Sequence, residues 1–371
     1  MKVLISTPYY LPNVSGITFY VQILAEELAK RGHQVTILTS QHLKKLKLKE
    51  TINQVSIIRL KAPLKISKGV IMPSFFWIAV KESKNNDIII GNLPQAEAFW
   101  ISWWAKIWRK KVILIHHTDL SFWPGIKNKI IDSGVFICHC LAALSTDYLV
   151  PYTDDYARHS YFLKHFLKKV KSIYPPVKFE PSKDKKQIKN KYIVGFCGRI
   201  AKQKGLETLI ESCDYLDQKI GSANYLIKLA GPMEIIGEKY YDYLKEKYYR
   251  RLKNNFIFLG GIDREKLADF YHSIDLLVLP SNDSLESFGW VQIEAMICGT
   301  PCVATNLPGM RVPILKTKMG ELFEKNNSQQ LAEKIVKVLK NGKQYYHKLG
   351  KNALQQFDYQ KTIDHYEKLF R

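Results

Sequence analysis

Two glutamates, Glu286 and Glu294, stand eight positions apart on either side of a predicted helix start. The apolar run that begins at Val291 predicts a helix that ends near Gly299, where glycine commonly follows the last helical turn. Glu286 is then in the loop before the helix, and Glu294 lies about two turns inside it. Two carboxylates held in this way suit recognition of hydroxyl groups.

A Ser-Phe-Gly turn follows the first glutamate, and the free backbone N–H groups of Phe288 and Gly289 should point toward Glu286. Helix starts bind anions because these N–H groups lack partners and the helix dipole is positive at this end. One carboxylate beside an anion-binding helix end and a second deeper along the helix predict a ligand with phosphate and hydroxyl groups, such as a nucleotide-sugar.

The sequence around this pair is distinctive. Leu279-Pro-Ser precedes it, and Glu-Ala-Met-x-x-Gly-x-Pro-x-Val-Ala-Thr runs from Glu294 to Thr305. It resembles the E-x7-E signature of retaining glycosyltransferases with the GT-B fold, in particular glycosyltransferase family 4. The resemblance covers nearly the whole chain and is strongest over 192–323. It implies that Glu286 holds hydroxyls of a donor sugar, that Glu294 holds the ribose, and that Ser287, Phe288 and Gly289 contact the donor.

Strands that alternate with helices predict two α/β halves, each with a parallel, doubly wound sheet. In the first half we predict strands at Lys2–Thr7, Gln34–Thr39, Ser56–Leu60, Asp87–Ile90, Val112–Ile115 and Leu141–Ser145. In the second half we predict them at Tyr192–Cys197, Tyr225–Ala230, Phe256–Leu259, Leu276–Leu279 and Cys302–Thr305. The resemblance implies the GT-B fold, with two Rossmann-like domains that face a central cleft.

The predicted domains follow from these elements and the resemblance. We predict that residues 1–177 form an acceptor-side domain and that residues 192–357 form a domain that binds the nucleotide-sugar. The lysine-rich segment 178–191 is predicted to link them, and residues 358–371 are predicted to form a terminal helix that crosses back to the first domain.

Two cations, Arg199 and Lys204, follow the first strand of the second half, flanked by Gly198 and Gly205. Fixed cations stabilise the negative charge that a diphosphate gains as it leaves. Arginine binds such an anion through its planar guanidinium, and lysine binds it through a single charged ammonium group. The resemblance to the family's G-R…K-G element implies that this pair clamps the donor diphosphate. The alternative is a pair of solvated loop cations.

Two glycines match positions where the family's backbone approaches the donor closely, since glycine has no side chain to obstruct it. Gly16 lies in the first loop, where relatives usually carry Gly-Gly and this chain has Ser15. Gly231 follows the strand Tyr225–Ala230, and Met233 and Glu234 after it depart from the family pattern.

His116-His117-Thr118-Asp119 ends the strand Val112–Ile115. Because strand side chains alternate, the two histidines should face opposite ways. The family's His-x-Asp pattern implies that His117 lies near the transferred sugar and that Asp119 is an acceptor-side candidate. The alternative is that one or both histidines are buried core residues.

The net charge of +22, from 56 basic and 34 acidic residues, predicts an anionic partner. The segment 99–111 carries Trp100, Trp103, Trp104 and Trp108 at helical spacing and ends in a basic cluster, and 156–171 is a second basic-aromatic segment. The tryptophans could either pack in the protein core or contact an anionic membrane surface, and the sequence is consistent with both. A basic nucleic-acid-binding protein is a remote alternative, because no nucleic-acid-binding motif is found.

Several classes of function are disfavoured by the sequence. No G-x-G-x-x-G follows either first strand, so no dinucleotide cofactor is expected. The six cysteines lack paired C-x-x-C spacing and are interpreted as reduced core residues. The resemblance to GT-B enzymes implies that neither a cofactor nor an active-site metal is needed, and no Asp-x-Asp motif lies near Glu286. No membrane-spanning run or signal-peptide core is found in the sequence, which predicts a cytoplasmic protein. A further hypothesis is that the protein binds peripherally to the inner face of the cytoplasmic membrane.

We therefore predict an enzyme that transfers a sugar from a nucleotide diphospho-sugar, with retention, to a lipid-linked or cell-envelope glycan. A GT-B phosphorylase or nucleotide-sugar epimerase is the alternative.

Overall fold

The chain divides into two compact units. The first unit comprises Met1–Pro176 and Tyr359–Arg371, and the second unit comprises Val177–Asp358. The computed structural model describes residues 1–66, 69–120, 125–181, 190–232, 239–283 and 285–371. Most of the predicted linker, and Met233 and Glu234, lie outside the described residues.

In the first unit the described residues form a seven-stranded sheet in the order β3-β4-β2-β1-β7-β8-β9. All neighbours are parallel except β3 and β4. The strands are β1 Lys2–Ser6, β2 Gln34–Gln41, β3 Lys49–Ile52, β4 Val55–Lys61, β7 Ile88–Leu93, β8 Lys111–His116 and β9 Tyr148–Val150; β5 Leu64–Ile66 and β6 Gly69–Ile71 form a separate antiparallel pair. The chain winds outward from β1 to one side and from β7 to the other, which is the doubly wound order predicted.

Helices cover this sheet because each connection between parallel strands must cross over one of its faces. They are α1 Gly16–Lys30, α2 Phe75–Asn85, α3 Ala98–Ile107, α4 Ile126–Ser145, α5 Asp154–His159 and, from the end of the chain, α13 Tyr359–Phe370. Leu4 and Ile89 of the sheet pack against Phe75 of α2 and Ile101 of α3 in one core cluster.

The second unit repeats this plan with a fully parallel sheet in the order β12-β11-β10-β13-β14-β15. Its strands are β10 Tyr192–Cys197, β11 Tyr225–Ala230, β12 Phe256–Gly260, β13 Leu276–Leu279, β14 Cys302–Thr305 and β15 Gly320–Phe323. Its helices are α6 Leu206–Ile220, α7 Tyr240–Asn255, α8 Leu267–Ser273, α9 Trp290–Ile297, α10 Val312–Thr317, α11 Ser328–Asn341 and α12 Lys343–Gly350. The predicted α/β fold with doubly wound parallel sheets is confirmed.

The predicted strand Leu141–Ser145 is wrong. These residues are the last part of α4, and the strand next to β8 is Tyr148–Val150. Ala142 and Ala143 are buried, whereas Leu141 and Leu144 are exposed, so the run follows helical rather than strand periodicity. A short apolar run of this kind does not distinguish a strand from a helix end.

The last helix, α13, belongs to the first unit and packs against α1. The hydroxyls of Tyr20 and Tyr366 are hydrogen-bonded at 2.5 Å, and both side chains are fully buried. At the surface, Arg31 pairs with Asp364 and Glu367 at 2.6 and 2.7 Å. The first unit is therefore built from both ends of the sequence.

Candidate functional site

The second unit has its switch point between β10 and β13, because the chain winds away from this pair in both directions. In open α/β sheets, ligands bind at such a point, outside the carboxyl ends of the strands. The loop 198–205 follows β10, and the segment 280–289 follows β13. The topology therefore brings the predicted cations and Glu286 to one edge of one sheet.

A glycine fixes the contact between these two loops. Gly205 has a φ of +65°, and a Cβ at this position would lie 2.0 Å from the carbonyl oxygen of Pro280. The backbone N–H of Asn282 also donates to the carbonyl of Gln203 at 3.1 Å. Only a residue without a side chain lets the backbones approach this closely.

Lys204 and Glu286 meet directly across this contact. The Lys204 ammonium donates a hydrogen bond to Oε2 of Glu286, and both side chains are largely shielded from solvent. The backbone N–H of Glu286 donates to the carbonyl of Asp283 at 3.2 Å, which positions the glutamate in its loop. The structure thus joins a residue predicted for the diphosphate to one predicted for the sugar.

Arg199 has a different environment in the same loop. Its side chain is exposed, and it forms no ion pair with another described residue. The backbone around it is held tightly, since a Cβ on Gly231 would lie 1.9 Å from the carbonyl oxygen of Gly198. The guanidinium therefore projects from a fixed loop and is available to an anion.

Glu294 is buried inside α9, with only 4% of its surface exposed. Its Oε2 accepts a hydrogen bond from the Tyr271 hydroxyl at 2.9 Å, and its Oε1 lies 3.5 Å from Nη1 of Arg264. Burial raises the pKa of this carboxyl, and Arg264 and Tyr271 oppose the rise. The two glutamates thus differ in environment, one paired with a lysine and one buried beside a tyrosine.

The turn between the glutamates packs into the unit. Ser287 and Phe288 are buried, and the Phe288 ring lies 6.0 Å from that of Phe357. Gly289 caps α9 with a φ of +74°, and a Cβ there would lie 2.7 Å from Leu279 and Gln292 side chains. The helix therefore begins where the sequence predicts it, directly after this turn.

In the first unit, His117 is fully buried and has hydrogen-bond partners on both ring nitrogens. Nε2 lies 2.7 Å from Oδ1 of Asn92, and Nδ1 is hydrogen-bonded to the Tyr152 hydroxyl. Burial, with a smaller contribution from the neighbouring His116, lowers the pKa of His117 to about 3. The imidazole is therefore neutral at physiological pH and is suited to hydrogen bonding rather than to carrying charge.

Asp119 lies with His116 rather than with His117. Its Oδ1 accepts a hydrogen bond from the Ser160 hydroxyl at 2.6 Å and lies 3.4 Å from Nε2 of His116. The His116 ring stacks on Phe162, with ring centres 5.3 Å apart. The two predicted site residues of this segment, His117 and Asp119, therefore contact different neighbours.

Gly16 is the first residue of α1, so it lies on the helix and not in the preceding loop as predicted. A Cβ at Gly16 would have open space around it. Ser15 is the N-cap, and its hydroxyl accepts the Thr18 N–H at 3.1 Å. The serine that replaces the family's first glycine thus has a clear structural role, as capping serines do.

Four residues of these sites were not predicted from the sequence: Asn92 and Tyr152 beside His117, and Arg264 and Tyr271 beside Glu294. Asn92 and Tyr152 lie at or just beyond the carboxyl ends of their strands, since β7 ends at Leu93 and β9 ends at Val150. Ligand sites of open α/β sheets form at these strand ends. Both Arg264 and Tyr271 precede β13 in the sequence. Tyr271 lies in α8 and Arg264 lies in the turn before it, and no sequence motif identifies either residue.

Comparison with known families assigns both units. The profile described as "Glycosyltransferase Family 4" matches residues 14–171, and that described as "Glycosyl transferases group 1" matches residues 178–356. The chain belongs to glycosyltransferase family 4. It is a nucleotide-sugar-dependent glycosyltransferase of a retaining family, and the predicted family is confirmed.

Some relatives of this family 4 glycosyltransferase match nearly its full length, although they are distant in sequence. An uncharacterized glycosyltransferase of Methanocaldococcus jannaschii is 24% identical over 385 residues, covering 98% of this chain and 96% of the relative. The sucrose-phosphate synthase of Thermosynechococcus elongatus has a TM-score of 0.78 at 21% identity, and the match covers 100% of this chain and 98% of that structure. HepE of Anabaena, solved in complex with UDP, has a TM-score of 0.76 at 18% identity, covering 99% of each chain. The GT-B fold predicted for this chain is confirmed.

Proposed function

We propose that this glycosyltransferase moves a sugar from a nucleotide diphospho-sugar to a lipid-linked or cell-envelope glycan, with retention of configuration. The observation that carries the assignment of the donor site is the cluster at the β10–β13 edge. There Lys204 pairs with Glu286, exposed Arg199 lies on the same loop, and buried Glu294 lies within α9.

The donor roles follow from the charges and burial of these side chains. Arg199 and Lys204 stabilise the diphosphate as it gains charge. The contact between Lys204 and Glu286 supports this proposal, because it joins one of the cations to the residue assigned to the sugar hydroxyls. The carboxylate of Glu294 accepts hydrogen bonds from the ribose, and Tyr271 holds it in position. Ser287, Phe288, Gly289 and Gly231 shape the backbone around the donor.

The proposed transfer reaction needs no covalent intermediate between the sugar and the enzyme. The bond between the anomeric carbon and the diphosphate oxygen breaks, and the acceptor oxygen bonds to the same face of that carbon. The acceptor proton passes to the departing phosphate, so the products are the new glycoside and the nucleoside diphosphate. Retaining glycosidases instead use a carboxylate nucleophile.

The first unit supplies Gly16, His117 and Asp119 to this proposal. His117 is assigned to the transferred sugar because the family's His-x-Asp pattern has its histidine there, and the hydrogen bonds to Asn92 and Tyr152 fix the orientation of its neutral ring. Asp119 is assigned to the acceptor, and Gly16 to close backbone approach by the donor. These assignments follow the resemblance, and each is testable by substitution.

A donor screen tests the proposal. UDP-, GDP- and ADP-sugars are added to the protein, and the shift in melting temperature is measured, beginning with UDP-sugars because HepE was solved with UDP. Turnover of the stabilising donor with a membrane or envelope extract should release nucleoside diphosphate and form a glycoside whose anomeric configuration matches the donor by NMR. Release of sugar-1-phosphate, or an epimerised nucleotide-sugar, would instead identify a phosphorylase or an epimerase.

A further inference from the structure

Three neighbouring helices of the first unit present large apolar side chains to solvent. Helix α3 packs against both α2 and α4. Trp77 of α2 is 72% exposed, Trp103 of α3 is 48% exposed and Ile130 of α4 is 68% exposed. We call the surface formed by Trp77, Trp100, Trp103, Ile107, Ile130 and Ile137 the apolar face. Contiguous exposed apolar surface marks an interaction site, whereas single exposed residues do not.

Helix α3 is buried along one face and exposed along the opposite face. Ala98, Ile101 and Ala105 are fully buried against the sheet, at the spacing of one helix face. Trp100 and Trp103 lie on the other side and are exposed. Trp100 contacts Phe76 of α2 and Trp103 contacts Phe99, with ring centres 4.9 and 5.2 Å apart, but each tryptophan still leaves more than 40% of its surface exposed. These contacts within the unit therefore account for only part of each ring.

Helix α4 continues the pattern with aliphatic residues. Ile126, Ile130, Ile137, Leu141 and Leu144 are all exposed and recur at intervals of three, four and seven positions. This spacing places them on one stripe of the helix. The stripe faces away from Ala142 and Ala143, which are buried in the core.

Cations lie where α2 and α3 end. A cavity of about 220 Å³ is lined by Lys106, Arg109, Lys110, Lys111 and one acid, Asp147. Lys84 of α2 lies over the ring of Trp108, with its ammonium 5.1 Å from the ring centre. The apolar face therefore has a strongly basic border.

We propose that the apolar face docks the enzyme on an anionic lipid bilayer. Tryptophans settle at headgroup depth, aliphatic side chains enter the acyl boundary, and basic side chains bind anionic headgroups. No helix among the described residues is long and apolar enough to span a membrane, so the helices would lie on the surface. The docking extends the proposed function but does not require the transfer reaction.

Charge decides between a bilayer and a second copy of the chain. A second copy docked face to face would bring two sets of Lys84, Arg109 and Lys110 together, and like charges at an interface disfavour association. An anionic bilayer complements the same cations. The overall charge of +22 favours this surface further.

Vesicle co-sedimentation tests the docking without any donor or acceptor. The full-length protein should sediment with vesicles of phosphatidylglycerol and phosphatidylcholine at low salt, and should be released at high salt. It should stay in the supernatant with phosphatidylcholine alone. Brominated phosphatidylglycerol vesicles should quench the tryptophan fluorescence of the wild-type protein, since bromine quenches only tryptophans that enter the bilayer.

Matched variants locate the surface. Trp103→Ser with Ile130→Ser should lower vesicle affinity about tenfold or more, as should Lys84→Glu with Arg109→Glu. The control pair Tyr249→Ser with Leu349→Ser changes comparably exposed residues of the second unit, and Lys340→Glu with Lys351→Glu makes the same change in charge there. Both controls should bind as the wild type does. Melting curves identify variants that fail to fold.

Three results would overturn the proposal. The first is no binding to anionic vesicles at low salt, and the second is wild-type affinity in both folded face variants. The third is a dimer in light scattering that Trp103→Ser with Ile130→Ser converts to a monomer, which would assign the face to a second copy. Because sedimentation needs no sugar donor, a failed donor screen leaves this test intact.

Discussion

Lys204 donates a hydrogen bond to Glu286 although the two residues are 82 positions apart in the sequence. Their loops follow β10 and β13, which are neighbours in the sheet. The pairing places a cation and a carboxylate of the proposed donor site in one contact. Its consequence is that substitution of either residue changes the electrostatic environment of the other.

The two cations of the donor loop should differ in their effect on stability but not on catalysis. Arg199→Ala and Lys204→Ala should each lower kcat by the loss of about 2.7–4 kcal/mol of transition-state stabilisation. Arg199→Ala should keep the wild-type melting temperature, whereas Lys204→Ala loses an ion pair that contributes up to about 1 kcal/mol. Steady-state kinetics and melting curves measure both effects.

The control for this prediction is Lys202→Ala, an exposed lysine of the same loop, which should behave as the wild type does. Wild-type kinetics in both Arg199→Ala and Lys204→Ala would place the diphosphate clamp elsewhere.

Glu294→Ala should weaken nucleotide binding more than Glu286→Ala does. The Glu294 carboxylate can accept ribose hydroxyls, and each hydrogen bond to a charged group contributes about 1.5–3 kcal/mol. Titration calorimetry with the nucleoside diphosphate of the accepted donor measures the difference. Glu246→Ala, an exposed glutamate of α7, is the control. Unchanged affinity in Glu294→Ala would refute the ribose assignment.

The buried Glu294 carboxyl should also make stability depend on pH. Burial raises its pKa above the ordinary value of 4.5, so the folded state favours the protonated form. This contribution to stability is fully present below pH 4.5 and is lost as the pH rises through the pKa of the folded state. Glu294→Gln cannot ionise, so its melting temperature relative to the wild type should rise with pH across this window. A constant difference would show that Glu294 titrates normally.

Substitution of two loop glycines should destabilise the second unit. Gly205→Ala would place a Cβ 2.0 Å from the carbonyl oxygen of Pro280, and Gly231→Ala would place one 1.9 Å from that of Gly198. Both glycines have positive φ, so strain of about 1–3 kcal/mol adds to the cost of separating the loops. Urea unfolding measures the loss. Gly261→Ala has open space and should leave stability unchanged. Equal stability in all three variants would contradict the packing described.

His139 should make the first unit less stable in acid. Burial and, to a smaller extent, His116 lower the pKa of His139 to about 3, while Asp119 partly opposes the shift. Because the folded pKa is depressed, the contribution to stability is present above the ordinary value of 6.5 and is lost as the pH falls toward 3. His139→Leu should flatten this dependence by up to about 1.4 kcal/mol per pH unit.

Unfolding curves between neutral and acidic pH test this prediction. His365→Leu is the control, because His365 is exposed on α13. If His139→Leu keeps the pH dependence of the wild type, other groups cause the acid sensitivity.

Much of the fold could be predicted from sequence because its signals are local. Strand β10 is a continuous apolar run that is buried from Ile193 onward, and α9 begins after Gly289 and is followed by Gly299. Leu141–Ser145 was assigned wrongly because five apolar-rich residues carry too little periodicity to separate a strand from a helix end. The strands β3, β5, β6 and β15 were not predicted; each has only three or four residues and is not a continuous apolar run like β13.

For the candidate site, the sequence supplied candidate residues but not the contacts between them. The motif selected Lys204, Glu286 and Glu294, yet no sequence spacing shows that the first two touch or that Tyr271 holds the third. Likewise, the His-x-Asp pattern joins Asp119 to His117, whereas the structure pairs Asp119 with His116. Such contacts depend on how loops pack after the sheet has formed, and single-sequence patterns carry no such long-range information.

The place of α13 in the first unit has a consequence for synthesis on the ribosome. Residues up to Pro176 emerge first, but Tyr366 and the partners of Arg31 emerge only after all of Val177–Asp358. At the usual elongation rate, this delay is roughly ten to forty seconds. During that interval α1 lacks the helix that covers it, so the nascent first unit presents an apolar surface to chaperones, and the second unit can complete its fold before the first.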